Sequence, residues 1–338
     1  FGYTSGSPES KNTSFTISGY KDSAASNYAS SCGFRFIILD PVNIPEGSLG
    51  DSIHWEISDD TLKITGSGKI NDFTSASAAP WAEYLSGGHF SKLSVGNGIT
   101  SIGNFAFHGM SGVESVSVAD SVKRIGCYAF EGSTVKSVTL PSEAETIDIG
   151  AFKNCKGLTS VLFGGKINAI GESAFEGCTS LETVTIPYGS ASTIGPRAFS
   201  GCTALGSVSL SDSVKLIENE AFSGCSKLKN INFPAFLESI GAKAFYECKS
   251  LSSISIGGTV KAIGSQAFFG CTSLKTVTLE SGIAEISDYA FSGCSAISGI
   301  SIPDSVSSVG EGAFYNCTGI THVSIGTGVK GIAPKTFE

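Results

Sequence analysis

The sequence predicts a solenoid of about ten to eleven coils of 23 residues. Each coil supplies a short parallel strand, a short helical turn and a second extended segment, and a β-rich cap closes the N-terminal end. Two observations predict it. Phenylalanine recurs at Phe107, Phe130, Phe152, Phe175, Phe199, Phe222, Phe245, Phe268, Phe291, Phe314 and Phe337, spaced by 23 residues apart from one gap of 22 and one of 24. Self-similarity at a fixed period is the signature of stacked repeats. Five residues before each Phe stands Ile or Val (Ile102, Ile125, Ile147, Ile170, Ile194, Ile217, Ile240, Ile263, Ile286, Val309, Ile332), and Ala precedes every Phe but the last. Positions so constant and so apolar point inward.

Within a coil, the residue two beyond the Phe is Gly in seven of ten full copies, Asn154 or Asn316 in two more, and Glu247 in the tenth. Gly and Asn accept the left-handed conformation that ends a helical turn. The stretch around the Phe therefore reads as roughly one turn of helix. The next apolar residues, as in Leu228, Ile231 and Phe233, end in the alternation of a strand. Pro or Gly often follows (Pro141, Gly164, Pro187, Pro234, Gly257, Pro303, Gly326) and turns the chain, since neither suits a strand interior. A second extended piece such as 214–217 completes the circuit. A coil of this size buries apolar surface only against its neighbours, so stability is a sum of neighbour terms. At about 4.8 Å per coil the array makes a rod on the order of 50 Å long.

The phrase IGxxAFxGCxxLxxVxIP resembles the BspA-like class of leucine-rich repeats, and the lead-in from Trp55 to Phe107 is similar to the N-terminal cap of such arrays. The resemblance covers about residues 50 to 338. It implies a leucine-rich-repeat solenoid from a bacterial protein, secreted or at the cell surface, used for adhesion or recognition. The family brings no shared catalytic residues.

Composition narrows the function further. A net charge of −8, with the 22 Lys and Arg scattered singly, leaves no basic stripe for a phosphate backbone, so nucleic acid is not an expected partner. No run of 18 apolar residues is present, so no membrane insertion within this chain is expected. The chain opens without the charged and apolar regions of a signal peptide, and it stops inside a repeat. A signal peptide, an anchor and the end cap that an array needs are therefore expected to lie outside it.

Three segments follow in order. Residues 1–48 lack the repeat and read as loops around one or two strands, with Phe15 to Ile17 and Phe34 to Leu39 as candidates. Cys32 to Phe36 is similar to the closing strand of C-type-lectin-like and formylglycine-generating-type domains. The simpler reading, an extra hairpin attached to the cap, is adopted. Residues 49–95 form the cap: Trp55 and Ile57, then Leu62 and Ile64, alternate like two strands around a turn at Asp59 and Asp60. Trp81 and Tyr84 are placed over the open end of the Phe column. Residues 96–338 are the array, and its 22- and 24-residue coils change length within 132–135 and 188–193, both in loops.

Cysteine falls three residues after the repeat Phe in eight coils (Cys155, Cys178, Cys202, Cys225, Cys248, Cys271, Cys294, Cys317). Zinc sites favour paired C-x2-C spacing, which this chain lacks. In a disulfide each thiol would have two equivalent neighbours. The expectation is a buried ladder of free thiols acting as small apolar fillers. Gly66 to Lys69 lacks the spacing of a phosphate loop and reads as a hairpin turn in the cap. The histidines His54, His89, His108 and His322 sit too far apart for a triad to be argued. No catalytic residue, metal-ligand set or required cofactor is expected.

The candidate ligand-binding site is the outward strand face: Ser207, Ser209, Asn230, Asn232, Ser253, Ser255, Thr276, Thr278 and His322, with the matching residues of the earlier coils. Hydroxyls and amides there suit hydrogen bonding to a glycan or an extended protein surface of a host or neighbouring cell. An ordinary solvated β-surface has the same composition. Binding hot spots favour Trp, Tyr and Arg, which makes Tyr188, Phe236, Tyr246, Phe269 and Tyr315 the alternative anchors. The reading is a monomeric, non-catalytic adhesion or recognition module. Its rivals are a structural spacer that holds another domain off the surface, and a non-catalytic module of a larger lectin-like or enzymatic protein.

Overall fold

The computed structural model describes residues 16–19, 28–31, 35–38, 45–50, 52–164 and 167–338. From Lys92 onward the chain winds as a parallel solenoid carrying two ladders. In the first, strands such as Ser207–Ser209, Asn230–Asn232 and Ser253–Ile256 stack in register within a 12-stranded sheet that ends at Thr276–Leu279. Gly299–Ile302 and His322–Ile325 continue it as a two-stranded parallel pair. The second ladder is an 11-stranded sheet of mostly two-residue strands, from Gly68–Lys69 to Ser308–Val309, and pairs Ile102 with Ile125, Ile125 with Ile147, and so on to Val309. The expected inward Ile and Val are buried, except that Ile332 in the last turn is 51% exposed.

The repeat Phe residues form one column. Successive ring centroids lie 5.1–5.4 Å apart from Phe107 to Phe337. Every ring from Phe107 to Phe314 is buried, and Phe337 is partly exposed. The column begins one ring earlier than the repeat. Trp81 stacks on Phe107 at 5.6 Å and 18°, and its indole N–H donates to the Ala106 carbonyl at 2.7 Å. Tyr84 packs on Trp55 at 5.9 Å behind it. The cap strands Ile53–Ser58 and Thr61–Gly66 pair antiparallel through Asp59 and Asp60, both left-handed at φ 52° and 59°, and Thr61–Gly66 then pairs parallel with Lys92–Val95. The two length changes lie outside both ladders, as expected.

The expected helical turn is corrected. The stretch around each Phe is not a helical turn. In the coil of Phe222, Glu220 is left-handed at φ 59° and Gly224 again at 74°, so no run of right-handed residues forms. Alternate N–H groups leave the coil: Glu220, Phe222 and Gly224 donate to Ala242, Ala244 and Tyr246 of the next coil at 2.7–2.9 Å. A helix needs those donors for its own carbonyls. The N–H groups between them close three-residue turns inside the coil, as Ser223 does onto Glu220. The segment is therefore a third inter-coil ladder.

The left-handed position two residues before the Phe carries a second regularity. Where it holds Tyr, the next coil holds Gly there: Tyr128 is followed by Gly150 and Tyr289 by Gly312. Each ring lies against the next coil's glycine, where a Cβ would approach Tyr128 or Tyr289 to 2.4 Å.

In the N-terminal segment Thr16–Gly19 and Arg35–Ile38 pair with each other in parallel. The expected extra hairpin is corrected by this, because parallel strands need a crossover and not a tight turn. A helical turn at 28–31 lies within that crossover. Phe15 of the first candidate strand and 32–34, which carry part of the lectin-like resemblance of Cys32 to Phe36, lie outside the described residues.

Two stability outcomes follow from the stacking. Phe222→Ala removes a ring held 5.3 Å from both Phe199 and Phe245, and urea unfolding should record a loss of roughly 3 to 5 kcal/mol. A loss under about 1 kcal/mol would take Phe222 out of the core. Gly150→Ala should destabilise by about 1–2 kcal/mol from its left-handed backbone alone, and further by driving Tyr128 off its seat. A double-mutant cycle with Tyr128→Ala should recover only the second part, and strict additivity would disprove the contact.

Candidate functional site

The first ladder presents its outward residues as two straight columns. Register places Thr183 beside Ser207, Ser207 beside Asn230, Asn230 beside Ser253 and Ser253 beside Thr276. The second column runs Thr185, Ser209, Asn232 and, on the next pair of strands, Ser255 and Thr278. Strand alternation sets this, since Val208, Ile231, Ile254 and Val277 between the columns face the core. Eight of the nine expected site residues thus lie together on four consecutive strands. His322 stands apart, exposed in the last strand opposite Gly299.

The hydroxyls on this face differ from those elsewhere in the coil. Thr159, Ser252 and Thr321, one residue before the strand, donate to the carbonyls of Lys136, Lys229 and Ser298 in the preceding coil. Ser121, Ser305 and Thr259, after the strand, do the same for Ile99, Ile283 and Ala235. Among the described residues, the side chains of Ser207, Ser209, Asn232, Ser253, Ser255, Thr276 and Thr278 make no intramolecular hydrogen bond, and Asn230 accepts one from Ser252 at 3.4 Å. Their donors and acceptors remain directed outward.

Beyond the expected columns, cap residues that sequence reasoning did not select belong to the same face. The columns continue into the cap as Ser115, Lys92 and Thr61, and as Ser117, Ser94, Lys63 and Glu56. The face is thus uncharged along the array and charged at its N-terminal end. Leu162 interrupts the second column at 65% exposure. It borders an open depression of about 410 Å³ lined by Ser137, Thr139, Ser160, Thr183, Thr185 and Pro187. Of the alternative anchors, Tyr188 and Phe236 are 85% and 61% exposed. Tyr246 and Phe269 are half-buried and stack on each other at 5.0 Å, and Tyr315 is half-buried against Tyr289.

The remaining motifs resolve structurally. Gly66 to Lys69 is not a hairpin turn. It carries the chain from the first ladder to the second, and the Ser67 and Gly68 N–H groups are spent on the Ser52 and Gly98 carbonyls. His108 faces Glu131 at 3.4 Å, His54 faces Glu46 at 3.7 Å, and His89 packs edge-on against Tyr84. Among the described residues no helix is long and apolar enough to cross a membrane.

The sequence matches the family model for the BspA type leucine-rich repeat region, six copies over residues 83–205, 170–261 and 238–338. The chain belongs to the BspA-type leucine-rich-repeat family. A leucine-rich repeat protein from Bacteroides ovatus shares its fold at a TM-score of 0.53 and 22% identity, over 84% of this chain and 89% of that one. A leucine rich cell surface protein from Faecalibacterium prausnitzii aligns at 24% identity and TM-score 0.40, covering 83% and 94%. The pneumococcal vaccine antigen PcpA aligns at 15% and 0.49, covering 83% and 82%. No curated protein sequence matches.

In this BspA-type array the eight ladder cysteines are free and buried. Each thiol donates to the carbonyl of the Phe one coil earlier, as Cys225 does to Phe199 and Cys248 to Phe222, both at 3.2 Å. Ser133 holds the same place in its coil and touches Cys155 at 3.3 Å. Burial pushes the Cys202 and Cys317 thiols up to about 12, and shifts Cys225, Cys248, Cys271 and Cys294 in the same direction. These groups are neutral in the folded protein and ionise near 9 when unfolded. Their contribution is complete below that value and is lost as pH rises toward 12, because the unfolded chain then holds fewer protons. Urea midpoints should therefore fall between about pH 8 and about pH 10.5, and Cys225→Ala together with Cys248→Ala should flatten that fall. An unchanged slope in the double variant would remove the thiols as its cause.

Proposed function

We propose that this chain is the recognition part of a secreted or cell-surface bacterial protein, binding a glycan or protein of a host or neighbouring cell through its polar strand face. The observation that carries the reading is the contrast in hydroxyl use. Many serines and threonines flanking the strands, Ser252 and Ser305 among them, are committed to inter-coil bonds, whereas those in the columns of the four central strands keep their hydrogen-bonding capacity free. A repeat-spaced array of free donors and acceptors suits a ligand that is itself extended and polar. Family membership supports a non-catalytic repeat scaffold.

The proposed organisation keeps residues 1–48 as an extension, 49–95 as the cap and 96–338 as the binding array, in a monomer. The strand Glu46–Leu49 ties the extension to the outer edge of the cap. The exposed Tyr188 and Phe236 lie in loops that follow the face strands, where they add apolar contact at its rim.

Purified chain should bind a defined subset of glycans or host-matrix proteins on an array. Replacing Ser209 and Asn232 together by Lys, at the centre of the face, should weaken that binding at least about tenfold, equivalent to about 1.4 kcal/mol, with the melting temperature unchanged. Two results would sink the proposal: no ligand at tens of micromolar, or full binding by the double variant.

A further inference from the structure

The antiparallel cap brings together three side chains that are distant from any ligand spacing in the sequence. Glu46 in the strand Glu46–Leu49 stands directly opposite Glu56 in Ile53–Ser58, and His54 lies one diagonal step away, opposite Ser48. One ligand atom from each of the three falls within 4.8 Å of the others. His54 Nε2 is 3.7 Å from Glu46 Oε2. All three side chains reach solvent, with Glu56 the most covered at 33% exposure.

Two independent features distinguish this group from an ordinary acidic surface. The first is the register itself. Like charges directly opposite across an antiparallel pair are destabilising, and the nearest cation relieves this only in part. Lys63 Nζ is 3.6 Å from Glu56 but 2.9 Å from Asp59, so it is shared between two carboxylates. Counting Glu46, Glu56 and Asp59 against Lys63, the group carries two uncompensated negative charges. The second is orientation. Ser58 donates to Glu56 Oε1 at 2.6 Å, which holds that carboxylate in place. A hydrogen bond of this kind from behind a ligand is what holds metal ligands in position.

We propose that Glu46, His54 and Glu56 form a binding site for a divalent transition-metal ion of the zinc class at the N-terminal end of the polar face. One imidazole and two carboxylates suit Zn²⁺ and its neighbours better than Ca²⁺ or Mg²⁺, which take oxygen ligands alone. Three protein ligands leave a coordination position open to water or an external donor. The ion would neutralise the opposed carboxylates and tie the edge strand Glu46–Leu49 to the cap. This proposal stands whether or not the hydroxyl columns bind a ligand.

The test is titration of the full chain with ZnCl₂ by calorimetry, and with Co²⁺ by visible absorption. Saturable binding of one ion per chain is expected, with a cobalt spectrum free of thiolate charge-transfer bands. His54→Ala and Glu46→Gln should each weaken binding at least about tenfold, while Cys127→Ser, which alters the half-buried free thiol, should leave it unchanged. Both positions are exposed, and the metal-free melting temperatures of the variants should be no lower than the parent's, with Glu46→Gln equal or slightly higher because it removes one of the opposed charges. Absence of saturable binding, or undiminished binding by His54→Ala, would overturn the site, as would a cobalt–thiolate spectrum.

Discussion

The structure depends on hydrogen bonding from each coil to the next. Three ladders share it: the strand carrying the outward columns, the two-residue strand at the inward Ile, and the alternating turn around Phe. In the third, donors at Glu220, Phe222 and Gly224 all point toward the following coil. A coil therefore cannot satisfy its own backbone, and the neighbour is part of its fold.

That constraint explains the constant residues around the Phe. Alternating left-handed positions aim the N–H groups along the solenoid, which accounts for Gly two residues after the Phe and for Tyr over Gly two residues before it. The Phe carbonyl, facing inward, takes both the N–H of its own coil's Cys and the thiol of the next, as Phe222 does from Cys225 and Cys248. Cysteine fits because it fills the space of a small apolar residue and still donates one weak bond. Oxidising neighbouring thiols to a disulfide would remove both donors. At the N-terminal end the column needs a terminator, and Trp81 supplies a ring together with a donor to the Ala106 carbonyl.

The outward face is free of these demands. Apart from Asn230, which accepts from Ser252, the column side chains of the four central strands make no hydrogen bond to a neighbouring coil, so their chemistry can vary without loss of the fold. Such freedom is where recognition can be written onto a repetitive scaffold. The uncharged columns of the array and the charged end formed by the cap are two different surfaces on one sheet, and the two proposals made for them are independent.

Much of the architecture was legible in the sequence because a solenoid's core is set by local period. Phe every 23 residues, Ile five before it and alternation in the strand establish which residues face inward, and the neighbours are the preceding and following copies. The outward columns were readable for the same reason, strand alternation being a property of the chain itself. What the sequence could not decide was the direction of backbone donors. Gly or Asn after the Phe fits the end of a helical turn and an inter-coil ladder equally, and only the stacked coils, by accepting alternate N–H groups, select the ladder. The parallel pairing of Thr16–Gly19 with Arg35–Ile38 and the meeting of Glu46, His54 and Glu56 likewise lie beyond pattern. They arise from strand pairing between segments that share no repeat, and register there is a tertiary property.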